Sequence, residues 1–199
     1  MVESATGLRE SRRVETTRAL KAAARRRTLE HGLAGFTVEE VCEDAGVSRR
    51  TFFNYFASKE LAVVGIPLRD DADEVEAAFV EAGPTGLGTI IDALVELNLH
   101  RWEQLGLGAA DASELLALID REPKLLGVML QQLDAAERGD IVLVERRERL
   151  VSGDLRAAAA VHVVGGLLRL TNEEVFATDA DDFATIIRRR LAAVRELFA

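Results

Sequence analysis

Two helix-start signals set close together, in FTVEEVCEDAGVSRR at residues 36–50, constrain this chain more than anything else in it. Thr37 has the side chain of a good N-cap, and Glu40 three residues on completes a capping box. Phe36 and Val41 flank that start as a hydrophobic staple. Ser48 is a second N-cap, with Val47 and Phe52 repeating the staple. Between them stands Gly46, which enters the left-handed conformation that a Cβ resists. The spacing predicts two short helices, 38–45 and 49–55, joined by a glycine-centred turn. Val38, Val41, Cys42, Val47, Phe52 and Phe56 are the expected core of this unit. Position 42 must be small because the second helix crosses there. Two capped helices in this relation form a helix-turn-helix unit.

The rest of the chain also reads as helical. Ala, Leu, Glu and Arg dominate, prolines number 3 in 199 residues, and no valine or isoleucine run alternates as a strand would. A first helix is expected from about Arg13 to His31, with Leu20, Ala24 and Thr28 on one face and Gly32 ending it. Ser58 caps a fourth helix reaching at least Val64. Further helices are expected at about 70–82, 89–105, 113–121, 123–150 (interrupted near Gly139), 155–177 and 181–198, with GPTGLG (83–88), GLGAA and SGD as breaks. The fold class is therefore all-α: an N-terminal three-helix helix-turn-helix domain, residues 1–57 including an N-terminal arm, followed by a helical bundle at 58–199.

Charge is distributed unevenly between these parts. The net charge is -9, yet residues 1–65 hold 11 Lys and Arg against 9 Asp and Glu, while the remainder holds 14 against 25. A basic head on an acidic body suits a polyanion at one end only. One cysteine, Cys42, excludes an intrachain disulfide and fits a reducing cytoplasm; it reads as a small buried hydrophobe rather than a redox sensor. No apolar leader and no run long enough to span a membrane is seen. No catalytic motif, dinucleotide fingerprint or P-loop occurs, so no enzyme and no cofactor is expected. His100 and His162 lack partners at metal-ligand spacing, so no metal site is expected, and His31 reads as a helix C-terminal residue.

On the third helix, Arg49, Arg50, Phe53 and Asn54 cannot point inward together with Phe52 and Phe56. Arginine matches the O6 and N7 acceptors of guanine, and an aromatic ring can press on a thymine methyl or a sugar. Ser48, Thr51, Tyr55 and Lys59 lie where hydroxyls and a helix N-terminus would grip phosphate oxygens. Thr37, at the start of the preceding helix, joins this DNA-facing set. The run Arg25–Arg27 on the first helix reads as a solvated face.

The string FTVEEVCEDAGVSRRTFFNYFASKE resembles the signature of the TetR (tetracycline-repressor-like) family of bacterial transcriptional regulators. The resemblance rests on the Thr-capped helix, AGVS, TFFNYF and the trailing SKE, and covers roughly residues 13–65. It implies a DNA-binding head, a helical ligand-binding body, and homodimers built through the last two helices. By position it implies that Arg49, Arg50 and Asn54 face bases, and that Thr51, Phe53, Tyr55 and Lys59 mostly face the backbone. The arm, with Arg9, Arg12 and Arg13, would enter the minor groove or lie on phosphates. The first helix departs from the family in carrying Arg25 and Arg27 where leucines are common.

The expected function is a sequence-specific DNA-binding transcriptional regulator, a ligand-responsive homodimeric repressor acting on a palindromic operator in double-stranded DNA. The alternative is a helical small-molecule- or partner-binding protein whose head does not read DNA. In the body, Asn98 beside Trp102, together with Met129, are candidate contacts for an unknown small-molecule effector. Gly165 and Gly166, with Phe183, Ile186, Ile187, Leu191, Val194 and Phe198, are candidates for the dimer interface.

Overall fold

The structure, a computed structural model, describes residues 2–68, 74–105, 109–177 and 182–197. The expected helix start at 70, the break at 106–108, Asp181 and Phe198 lie outside the described residues, as does the side chain of Arg9. The described residues form ten helices and no strand: α1 (Val2–His31), α2 (Val38–Ala45), α3 (Arg49–Tyr55), α4 (Lys59–Val64), α5 (Glu74–Glu81), α6 (Leu87–Leu105), α7 (Ala109–Arg121), α8 (Lys124–Glu148), α9 (Leu155–Ala177) and α10 (Phe183–Leu197). The all-helical reading holds, and α2 and α3 fall where their caps place them. Two expectations do not hold. The segment expected as an arm is helical from Val2 as part of α1, and α8 runs unbroken through Gly139. A single helical glycine costs only about 1 kcal/mol against alanine, which the flanking turns outweigh.

The chain divides into two compact units, Met1–Arg69 with Glu114–Gln132, and Asp70–Ser113 with Leu133–Ala199. In the first unit Leu20, Ala24 and Thr28 of α1 are fully buried, as are Val41, Phe52, Phe56, Ala62 and Val63. Val38 and Val47 pack against this core from partly buried positions. Leu118 of α7 and Leu125 of α8 are also part of it, a contribution the apolar periodicity could not assign.

Arg25 is the main correction in this unit. The expected solvated side chain is 1 % exposed. Its Nε donates to the Val63 carbonyl (2.9 Å) and its Nη1 to Glu114 (2.7 Å). The last carbonyls of a helix have no intrahelical partner, so a guanidinium ending α4 satisfies what the chain leaves open. Gly65 is what lets Lys21, one turn before Arg25 on α1, lie against this helix end. It ends α4 at φ 87°, and a Cβ there would meet Lys21 Cδ at 2.9 Å. Arg26 and Arg27 instead reach Asp44 of α2, Arg27 through two bonds of 2.7 and 2.9 Å.

The second unit is built on α6, α9 and α10. Ile90, Leu94, Val95 and Leu97 of α6 meet Val161 and Val164 of α9 and Phe183, Ile187 and Leu191 of α10. The face of α10 expected to meet a symmetry mate is thus spent inside the chain, with Ile186 also fully buried. An apolar stripe shows that a helix buries a face, not whose surface covers it. The partly buried Arg101 of this unit is paired: it bonds Asp140 (2.8 Å) and Glu76 (2.7 Å), as burial of ions requires.

Candidate nucleic-acid interface

The helix-turn-helix geometry follows its caps closely. Thr37 accepts from the Glu40 amide and its own amide donates to Glu40 Oε2 (2.7 Å). Those backbone and hydroxyl bonds hold the Glu40 carboxyl below its usual range. The Thr37 hydroxyl also donates to Glu40 Oε2 (3.0 Å), so its proton is already engaged in the cap. Gly46 ends α2 at φ 67°, with its N–H on the Cys42 and Glu43 carbonyls. Burial pushes the Cys42 thiol up, as expected of a packing residue.

Ser48 accepts from the Thr51 amide (3.0 Å), and the two hydroxyls share a bond of 2.8 Å. Two hydroxyl protons are present and that bond uses one, so the other is available to an acceptor in solution or on DNA. Phe52 and Phe56 are fully buried and anchor α3. Phe53 sits edge-on to Phe52, with ring centroids 5.3 Å apart, and is 40 % exposed. Arg49, Arg50 and Asn54 are exposed on the same helix. Among the described residues Arg50 and Asn54 have no hydrogen-bond or ion-pair partner.

The two arginines open α3, where the helix macrodipole disfavours cations by about 0.3–1 kcal/mol each. The helix dipole therefore does not favour them at that end. Tyr55 is partly buried against the head core, and its carbonyl accepts from Leu68 N (2.7 Å). Lys59 donates to the Phe36 carbonyl (2.7 Å) and lies 4.7 Å from the Phe36 ring centroid. An ammonium has three donors, so two remain.

Comparison with known proteins bears on this segment directly. Residues 20–61 match the family model for bacterial regulatory proteins of the tetR family. Over 201 aligned residues the chain is 28 % identical to the HTH-type transcriptional regulator TcmR of Streptomyces glaucescens, covering 97 % of this chain and 89 % of that one. The matched segment, residues 20–61, is similar to the DNA-binding segment of the TetR family. The chain is a DNA-binding transcriptional regulator, with the helix-turn-helix in its first unit. A solved structure from Mesorhizobium loti, assigned to the TetR-family transcriptional regulators, is similar at TM-score 0.45 and 20 % identity over 93 % of this chain and 96 % of that one.

The body candidates are less closely grouped. Asn98 is partly buried and its amide donates to the Leu94 carbonyl (2.9 Å), a bond within its own helix. Trp102 stacks on Phe183 with centroids 4.1 Å apart. Met129 packs against the core of the first unit, a different cluster from the one that Trp102 joins. One polar neighbour of the recognition helix was not legible in the sequence. Glu39 of α2 reaches Arg49 Nη1 at 2.8 Å, across the turn. Its place in the first turn of α2 explains it as a dipole partner, and that reading hides the pairing.

Proposed function

We propose that this regulator is a homodimeric repressor that reads a roughly palindromic operator through α3 of each copy and releases it when a small molecule binds the body. The observation that carries the reading is the exposed, dipole-opposed pair Arg49 and Arg50 on a helix anchored by Phe52 and Phe56. Arg49, Arg50 and Asn54 face base edges, and Ser48, Thr51, Phe53, Tyr55 and Lys59 serve the backbone. Thr37 acts mainly by fixing α2. A two-fold dimer would set two recognition helices about one helical turn apart. Exposed Val163 and Leu170 on α9, with open space at Gly166, support pairing through α9. Asn98 and Trp102 are the effector contacts proposed for the body. The role is regulatory rather than catalytic, and the site of action is the cytoplasm.

The test is a titration of the protein against duplexes from upstream of its own gene, with random-sequence duplex as competitor. A complex that survives the competitor, and is lost when Arg49 and Arg50 are both changed to alanine, is expected. Equal affinity for both duplexes would instead favour a helical binding protein whose head reads nothing.

A further inference from the structure

We infer that Glu39 is a positioning residue for sequence discrimination: it holds Arg49 off the phosphates so that the arginine is spent on a base edge. The inference rests on the reading of α3 as the recognition helix. Arg49 Nη1 lies 2.8 Å from Glu39 Oε1, with the two side chains 65 % and 53 % exposed. The guanidinium carbon lies 5.4 Å from the Phe53 ring centroid. Phe53 in turn rests edge-on against the buried Phe52. A chain of contacts therefore runs from the core to the guanidinium, and the carboxylate fixes its outer end. Arg49 has five N–H donors in a rigid fork. With Nη1 engaged by Glu39, the edge made by Nε and Nη2 stays open, and that edge suits the two acceptors of guanine.

An arginine at the first position of a recognition helix has a competing use. Phosphates lie on both sides of the groove, and a long cationic side chain gains from any of them without regard to sequence. A carboxylate beside the guanidinium opposes that outcome twice, by occupying one donor and by repelling the phosphate that would replace it. Glu39 thereby lowers affinity for all DNA while raising the preference for one base pair. Selectivity obtained by penalising the wrong partner has this form. Glu40 cannot substitute, because its carboxylate is committed to the capping box at Thr37.

An exposed ion pair contributes little to folding stability, so Glu39→Gln is expected to melt with the wild type. The test uses the full chain and two probes. One is a duplex selected by the wild-type protein from a random library; the other is a random duplex of equal length. Glu39→Gln is expected to bind the random duplex more tightly, with a salt dependence steeper by about one phosphate. The ratio of selected to random affinity should fall roughly tenfold, the scale of one bidentate arginine–guanine contact.

In an Arg49→Ala background the same change should leave the ratio unmoved, whereas in Arg50→Ala it should still lower it. A merely structural Glu39 would weaken both duplexes together and do so whatever stands at position 49. Either of those results overturns the inference. Failure of the wild type to enrich any sequence overturns the recognition reading beneath it, and is distinguishable because no selected duplex then exists.

Discussion

Two groups of arginines stand in the first unit and meet opposite fates. On α1, Arg25 is buried on backbone carbonyls and Glu114, while Arg26 and Arg27 close on Asp44. On α3, Arg49 has one exposed partner and Arg50 none among the described residues. The residue type is the same; what differs is whether the fold offers an acceptor within reach. The end of α4 offers Val63 O, and α2 offers Asp44. Around Arg50 the described residues offer no acceptor, so its hydrogen-bonding capacity is open to solvent or a second molecule.

The comparison breaks most visibly at Arg25. Arg25→Ala should remove about 3 kcal/mol of unfolding free energy, the lower end of the cost of breaking a buried ionic contact, because Glu114 stays partly in water. Urea denaturation followed by circular dichroism measures it. A loss under about 1 kcal/mol would mean that water satisfies the α4 carbonyls as well as the guanidinium does.

Arg50→Ala should show the reverse pattern. Its surface position predicts a stability change within about 0.5 kcal/mol. Specific DNA affinity should fall by about 1–3 kcal/mol if the side chain reads a base. Fluorescence anisotropy on a selected duplex and a random one separates that loss from a general weakening. An equal loss on both would make Arg50 a phosphate contact.

How much of this was legible in the sequence follows the range of each signal. Thr37, Gly46, Ser48 and Ser58 act within one turn of their own position, so α2, α3 and α4 could be placed from them. Phe52 and Phe56 as anchors followed from the spacing of apolar residues. Arg25 did not, because its acceptors lie 38 and 89 residues away and no local pattern encodes them. The same holds for Leu118 and Leu125 in the first core, and for the face of α10, whose cover is another helix of its own chain. At the interface, the exposed face of α3 was readable, but Glu39 was masked by its simpler role at a helix start.

Lys59 lies between the two groups of arginines and sharpens the contrast. It already donates to Phe36 O and covers that ring, yet two of its donors are open. Lys59→Ala should cost about 1 kcal/mol of stability through the lost bond and cation–π contact. It should also reduce the slope of log affinity against log salt by about 0.9 on every duplex, without changing the ratio between them. A stability loss with an unchanged slope would place Lys59 wholly with the structural group.

The smallest effect expected is at Asp44, where the α1 arginines end. Hydrogen bonds from Arg27 first, then Arg26, draw its pKa from an ordinary 3.8 down to about 2. A carboxylate with a depressed folded pKa adds stability that is fully present above its unfolded value and is lost as pH falls through the folded one. The difference in stability between wild type and Asp44→Asn should therefore be nearly constant from neutral pH down to about 4, shrink below that, and vanish only below about pH 2. The group is exposed, so salt should diminish the difference. Arg26→Ala should remove only part of it, because Arg27 holds both carboxylate oxygens by itself. Arg50→Ala should leave the pH profile of stability untouched, since among the described residues it makes no ion pair with a carboxylate. A profile that moved with Arg50 would show that the two groups of arginines are not separate after all.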